Sequence, residues 1–207
     1  MVNRRTFLQS SIWLSAASLP GTSALAAASG ASNGASKRLP IRLQRFVFDN
    51  RFAEAVETAR HAALLGIPPA EFSGDLTPLW YDELDLMWKT APMALAGITT
   101  REGLFVLETL AADRRMRVAY RGEHGAERDG SAAHVLAGPA GLVARAVPQP
   151  GASLWGPVLG DALAHCACHE RSAVRRTLTT RADRASTRDV PLYSWIIAPS
   201  TSVAVAV

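Results

Sequence analysis

The sequence predicts an α/β or α+β fold: a single domain with a mixed sheet of about five strands covered by about four helices. Three observations carry this expectation. Residues 91–121 read as a complete strand–helix–strand unit, several further segments alternate apolar and polar residues as half-buried strands do, and two more stretches repeat apolar residues at helical spacing. The chain has 207 residues, of which 48% are apolar, which is enough to bury one real core.

In order, 1–26 and 27–38 stand apart from a globular domain at 39–207. Residues 27–38 are Ala, Ser, Gly and Asn ending in Lys37 and Arg38, a composition too poor in apolar surface to offset the entropy of ordering. A first strand covers Ile41 to Phe48, where alternation gives way to a dense apolar run. Asp49 is placed to cap a helix whose stripe is Phe52, Ala55, Val56, Ala59 and Ala62, stopped by Gly66. His61 lies in that helix without a second ligand three or four residues away, and reads as a boundary imidazole. Thr77 and Pro78 open another helix, with Trp80, Leu84 and Trp88 on one face. The two indoles belong to the core or line a pocket, and Asp82 and Asp85 suit either acid–base work or the helix dipole.

The strand–helix–strand unit follows. Pro92 to Ala96 is a buried strand, Gly97 turns the chain, and Thr99 with Glu102 has the spacing of a capping box. Leu104, Leu107 and Leu110 form the helix stripe, and Met116 to Arg121 alternates as the second strand. In open α/β sheets, ligands settle beyond the carboxyl ends of strands, where a helix start offers free N–H groups to an anion. Gly97, Thr99, Thr100 and Arg101 occupy that point, as a carboxylate or phosphate site or simply as a capped helix start. Residues 122–130 read as a loop, and 132–137 and 142–147 as two short strands about a Gly–Pro turn. Ser153 stands in a glycine-rich stretch one residue too long for G-x-S-x-G, so no nucleophile elbow is present.

Pro157 opens a further helix. If it continues to Glu170, Asp161, His165 and His169 share one stripe with Cys168 beside it, a donor set suited to zinc or copper. Cys166, Cys168 and His169 are one residue short of C-x-x-C-H, which argues against covalent haem, and Cys166 also suits a small apolar core position. The arginine-rich stretch 171–188 reads as a solvated loop able to dock an acidic partner or anionic lipid headgroups, and Pro191 to Ala198 as the last strand. Thr201 to Val207 adds an edge strand or trails off.

The leading residues Asn3, Arg4, Arg5, Thr6, Phe7, Leu8 and Gln9 resemble the twin-arginine export consensus, with Asn for Ser/Thr and Gln for the final basic residue. A modest apolar stretch, Ile12 to Leu19, and the small residues Ala24, Leu25 and Ala26 complete the resemblance to a cleavable signal peptide. It implies recognition by the twin-arginine translocase through Arg4, Arg5, Phe7 and Leu8, cleavage near Ala26, and a periplasmic or otherwise exported product. Cleavage removes two arginines and no acid from a formal charge of +4, so nucleic acid is not an expected partner. No later apolar run approaches the roughly 20 residues of a spanning helix. The route carries folded cargo, often cofactor enzymes or their partners. The expectation is therefore an exported accessory or binding protein without catalysis of its own, such as a partner of a periplasmic redox or catabolic enzyme. The alternative is a small metal protein or metal-dependent enzyme built on Asp161, His165, Cys168 and His169.

Overall fold

The computed structural model describes residues 42–126, 131–147, 155–165, 173–181 and 190–200. They form a single-sheet α/β fold of seven strands and five helices, all within the compact unit Lys37–Val207. The strands are β1 (Leu43–Asp49), β2 (Pro69–Phe72), β3 (Ala94–Thr99), β4 (Met116–Ala126), β5 (Ser131–Pro139), β6 (Ala173–Arg181) and β7 (Leu192–Pro199). The helices are α1 (Ala53–Leu64), α2 over 77–90, α3 (Arg101–Ala112), α4 (Ala140–Arg145) and α5 (Trp155–Ala164). Within α2 the Trp80–Leu84 turn is π-helical, between short α segments.

Sheet order is β2-β1-β3-β7-β4-β5-β6. β2, β1 and β3 are parallel, β7 runs antiparallel to both β3 and β4, and β4, β5 and β6 form an antiparallel meander. The strand–helix–strand unit is therefore present with parallel outer strands, but β7 lies between β3 and β4. One sheet face packs against α1, α4 and α5 through residues such as Ala59, Leu142 and Leu159. The other packs against α2 and α3 through Trp80, Trp88, Leu104 and Leu107. Both indoles of α2 are core, meeting edge to face at 5.9 Å, and Trp88 Nε1 donates to the Met93 carbonyl at 2.9 Å.

The strand count exceeds the expected five for identifiable reasons. Pro69–Phe72, beyond the Gly66 stop of α1 and not expected as an element, adds a four-residue strand beside β1, and half of the arginine-rich segment expected as a loop is β6. Residues 122–126 continue β4 rather than starting a loop. Residues 142–147 are not a strand: Ala140–Arg145 is helical and buries Leu142 and Val143. The α5 helix closes at Ala164, with His165 in the turn beyond it, and the rest of the expected stripe to Glu170 lies outside the described residues.

Several caps also differ. β3 runs through Gly97 to Thr99, and α3 is capped by Thr100, whose Oγ1 accepts from Gly103 N at 3.4 Å. Thr99 is unavailable because its hydroxyl accepts from Trp195 Nε1 at 3.1 Å and donates to the Thr100 carbonyl at 3.0 Å. At α2 the start is held by Asp75, which accepts from Thr77 N at 2.9 Å. Asp49 does not cap α1; its buried carboxylate accepts from Arg51 Nε at 2.9 Å and Nη2 at 2.6 Å.

Candidate functional site

The four residues proposed for an anion site separate into two pairs. Gly97 and Thr99 are interior: a Cβ on Gly97 would lie 2.3 Å from the Val47 carbonyl oxygen and 2.4 Å from the Trp195 ring. Gly97 thus admits the Trp195 indole against β3. Thr100 caps α3, and Arg101, its first residue, is exposed.

Arg101 borders a cleft of about 430 Å³ between α3 and the reverse face of β4, β5 and β6. Arg121 and Glu123 enter from β4, Val135 and Ala137 from β5, Arg175 from β6, and Tyr193 from β7, with Leu104, Phe105 and Glu108 across from them on α3. The strands place these side chains together because alternate residues share a face. Arg121 pairs with Glu108. Among the described residues Arg101, Arg175 and Glu123 form no ion pair, leaving two cations and one carboxylate, the latter hydrogen-bonded by Tyr193, over the cleft. Burial raises the Tyr193 hydroxyl above its ordinary range, and its hydrogen bond and proximity to Glu123 raise it further, so the phenol stays neutral and donates. Phe105 is 67% exposed beside these groups.

A second cleft, of about 610 Å³, lies between β2 and α2 and carries Glu71, Asp75, Asp82 and Glu83. Glu83 pairs with Arg45. Asp85, three residues beyond Asp82, is tied to Lys89 and Arg114, so the two acids do not act as a pair.

The zinc or copper set is represented by two of its four members. His165 Nδ1 donates to the Asp161 carbonyl at 2.9 Å, and the Asp161 carboxylate faces Arg145 at 3.4 Å. Cys168 and His169 lie outside the described residues, as do Arg4, Arg5, Phe7 and Leu8. No group of three or more His, Cys, Asp or Glu side chains converges among the described residues. No helix among them is long and apolar enough to cross a membrane.

The most ordered polar arrangement was not anticipated by motif. On the α5 side of the sheet, His124 of β4 and His134 of β5 are direct register partners, with their Nδ1 atoms 2.7 Å apart. His124 Nε2 lies 2.7 Å from Ser194 Oγ, and His134 Nε2 lies 2.8 Å from Thr180 Oγ1. Ser194 reaches the Tyr120 hydroxyl at 3.5 Å, and Trp155 stacks on His124 with ring centroids 4.4 Å apart. Gly122 makes room for this chain: a Cβ there would lie 2.4 Å from Ser194 Oγ and 3.0 Å from His124 Nε2. Burial drives the Tyr120 hydroxyl well above its ordinary value, partly offset by the Ser194 hydrogen bond. Serine, a hydrogen-bonded histidine and a group orienting that histidine are the ingredients of an activated nucleophile. Ser194 is nevertheless 0% exposed, with no room at Gly122, so in this conformation no electrophile reaches its oxygen. The only sequence trace of the cluster is two histidines ten residues apart with Gly125 and Gly130 between them.

Compared with models of known families, with functionally characterised proteins and with solved structures, the chain matches none.

Proposed function

We propose that the chain is an exported accessory protein that performs no chemistry of its own and receives the acidic side chains of a partner protein in the cleft between α3 and β4–β6. The observation that carries this reading is the placement of Arg101 and Arg175, without ion-pair partners among the described residues, on a cleft that also presents exposed Phe105. Arginine forks suit carboxylates in two-point contact, and an exposed aromatic beside them gives an apolar anchor. The export element rests on the resemblance at Arg4, Arg5, Phe7 and Leu8. A binding role also fits the enclosure of Ser194, the side chain best equipped for nucleophilic chemistry.

The binding test uses a fluorescein-labelled peptide of alternating Glu and Phe, followed by anisotropy against the mature chain. The expected result is binding that weakens with salt and falls roughly tenfold in an Arg101→Ser, Arg175→Ser variant, since two exposed charge contacts contribute about 0.5–1 kcal/mol each. Equal affinity in both proteins overturns the assignment of the cleft. Separately, Arg4→Lys with Arg5→Lys is expected to leave the precursor uncut inside the cell, and undiminished export overturns that element.

A further inference from the structure

We infer that the His124–His134 pair is an acid-sensitive latch, which holds one added proton inside its hydrogen-bond chain and is broken by a second. The inference rests on the 2.7 Å separation of two Nδ1 atoms. A contact that short between imidazole nitrogens needs one N–H and one lone pair. In the neutral pair the bridging proton sits on either ring, and the outer nitrogens adjust. With it on His134, His124 Nε2–H donates to Ser194, whose hydroxyl donates to Tyr120. With it on His124, Ser194 donates to His124 Nε2, and His134 Nε2–H donates to Thr180.

One extra proton fits without breaking a bond, because both outer nitrogens then donate to hydroxyl oxygens and the bridge is unchanged. A second extra proton does not fit. It would place N–H against N–H between two cationic rings, each only 1–2% exposed. This count follows from the bridge itself, whatever else the two rings touch. Among the described residues the polar groups around the pair come from several elements. β4 supplies Tyr120, with Arg121 and Glu123 on its opposite face. β6 supplies Thr180 and, further along the same face, Arg176. β7 supplies Ser194. On α5, Trp155 covers His124, while Asp161 lies toward the far end and His165 in the turn beyond it. α1 brings Glu54, whose carbonyl lies 3.5 Å from the Cβ position of Gly156.

In the unfolded chain each imidazole takes up a proton near pH 6.5. Well below that pH the unfolded pair binds two protons and the folded pair at most one. The unfolded state then holds more protons, so this site favours folding less as pH falls, by a factor of ten in the folded-to-unfolded ratio for each pH unit and each excess proton. The consequence falls on the β4–β5 pairing and on the Trp155 stack. The same two strands carry Arg121, Glu123 and Val135 on their other face, so acid would loosen the wall of the cleft. The latch stands whether or not that cleft binds a partner.

The test compares the mature wild-type chain with His134→Asn, which keeps a polar atom near the Nδ1 position and cannot take the proton. Urea unfolding is measured from pH 7.5 to 5. The carboxylates are common to both proteins, so the difference isolates the pair. The expected result is that, toward the acid end, the wild-type folding constant falls by a further factor approaching ten per pH unit relative to the variant. Parallel curves overturn the inference. A measurement on the wild type alone guards against a variant that fails to fold: nitrogen-15 spectra of the imidazoles at pH 7.5. One protonated and one bare Nδ1 sharing a slowly exchanging proton supports the latch, and two bare Nδ1 atoms refute it.

Discussion

The sharpest test of the packing is Gly97→Ala. A methyl group at this position meets the Val47 carbonyl oxygen at 2.3 Å and Trp195 ring carbons at 2.4 and 2.9 Å. The first contact is backbone of β1, fixed by the Val47–Gly97 register, and cannot move without disturbing the parallel ladder. The second belongs to a fully buried indole locked by its 3.1 Å hydrogen bond to Thr99. Overpacking of this kind costs about 1–3 kcal/mol, and breaking the indole bond adds about 1 kcal/mol. Loss of glycine's freedom in the unfolded chain returns about 0.4–1 kcal/mol. The expected net loss is therefore about 1–3.5 kcal/mol, or a fall in Tm of roughly 2–14 °C for a domain of this size. Urea unfolding followed by far-UV circular dichroism measures it. Gly125→Ala in β4 is the control, since its Cβ meets nothing within 4 Å; it is expected to leave stability unchanged or raise it slightly. A Gly97→Ala protein within about 0.5 kcal/mol of wild type, or indistinguishable from the control, refutes the account of how Trp195 seats on β3.

Two further outcomes are expected. Arg51→Ala leaves the Asp49 carboxylate, which is 1% exposed, with only the Arg51 backbone N–H at 3.2 Å, and should cost about 2–3 kcal/mol by urea unfolding; adding Asp49→Asn should recover part of the loss, and a single variant as stable as wild type would contradict the pairing. The hydrogen bond from Lys89, and then the charges of Lys89 and Arg114, hold the Asp85 carboxyl below its ordinary value. A depressed carboxyl favours the folded state above the unfolded aspartate value of about 3.9, and that contribution is lost as pH falls through the folded value. Asp85→Asn should accordingly be less stable than wild type at pH 7, with the gap narrowing below about pH 4; a gap independent of pH would refute the assignment.

Local pattern made much of the architecture legible. The apolar spacing of Ala55, Ala59 and Ala62, of Trp80, Leu84 and Trp88, and of Leu104 and Leu107 located three helices and their buried faces, because a helix repeats within a few residues. The errors fall where a distant partner decides the conformation. Leu142 to Val147 has the residues of a strand, yet Leu142 and Val143 find their burial against the sheet as one face of a short helix. The arginines of 173–181 suggest a loop, yet the backbone completes β5 from Pro139 to Ser131, and the Arg175 and Arg176 side chains remain exposed at the edge of the sheet. Thr99 and Thr100 are equivalent caps on paper. Trp195, 96 residues away from Thr99, claims the first and leaves the second for α3.

The same strand explains why the polar chain was invisible. β7, the last of these strands in sequence, lies between β3 and β4, and its alternation sends Trp195 to the α3 face and Ser194 to the α5 face. Trp195 presses on Gly97 and fixes Thr99; Ser194 meets His124, whose own partner His134 is set by the β4–β5 register. A one-residue slip of β7 would exchange these two side chains between faces, placing an indole against two histidines and a hydroxyl against Val47. Burying an indole on one face and satisfying the histidine chain on the other therefore select the same register, and each strengthens the other's specificity. The His124–His134 bridge sits beside this choice, so its protonation acts on a strand pairing that both cores depend upon.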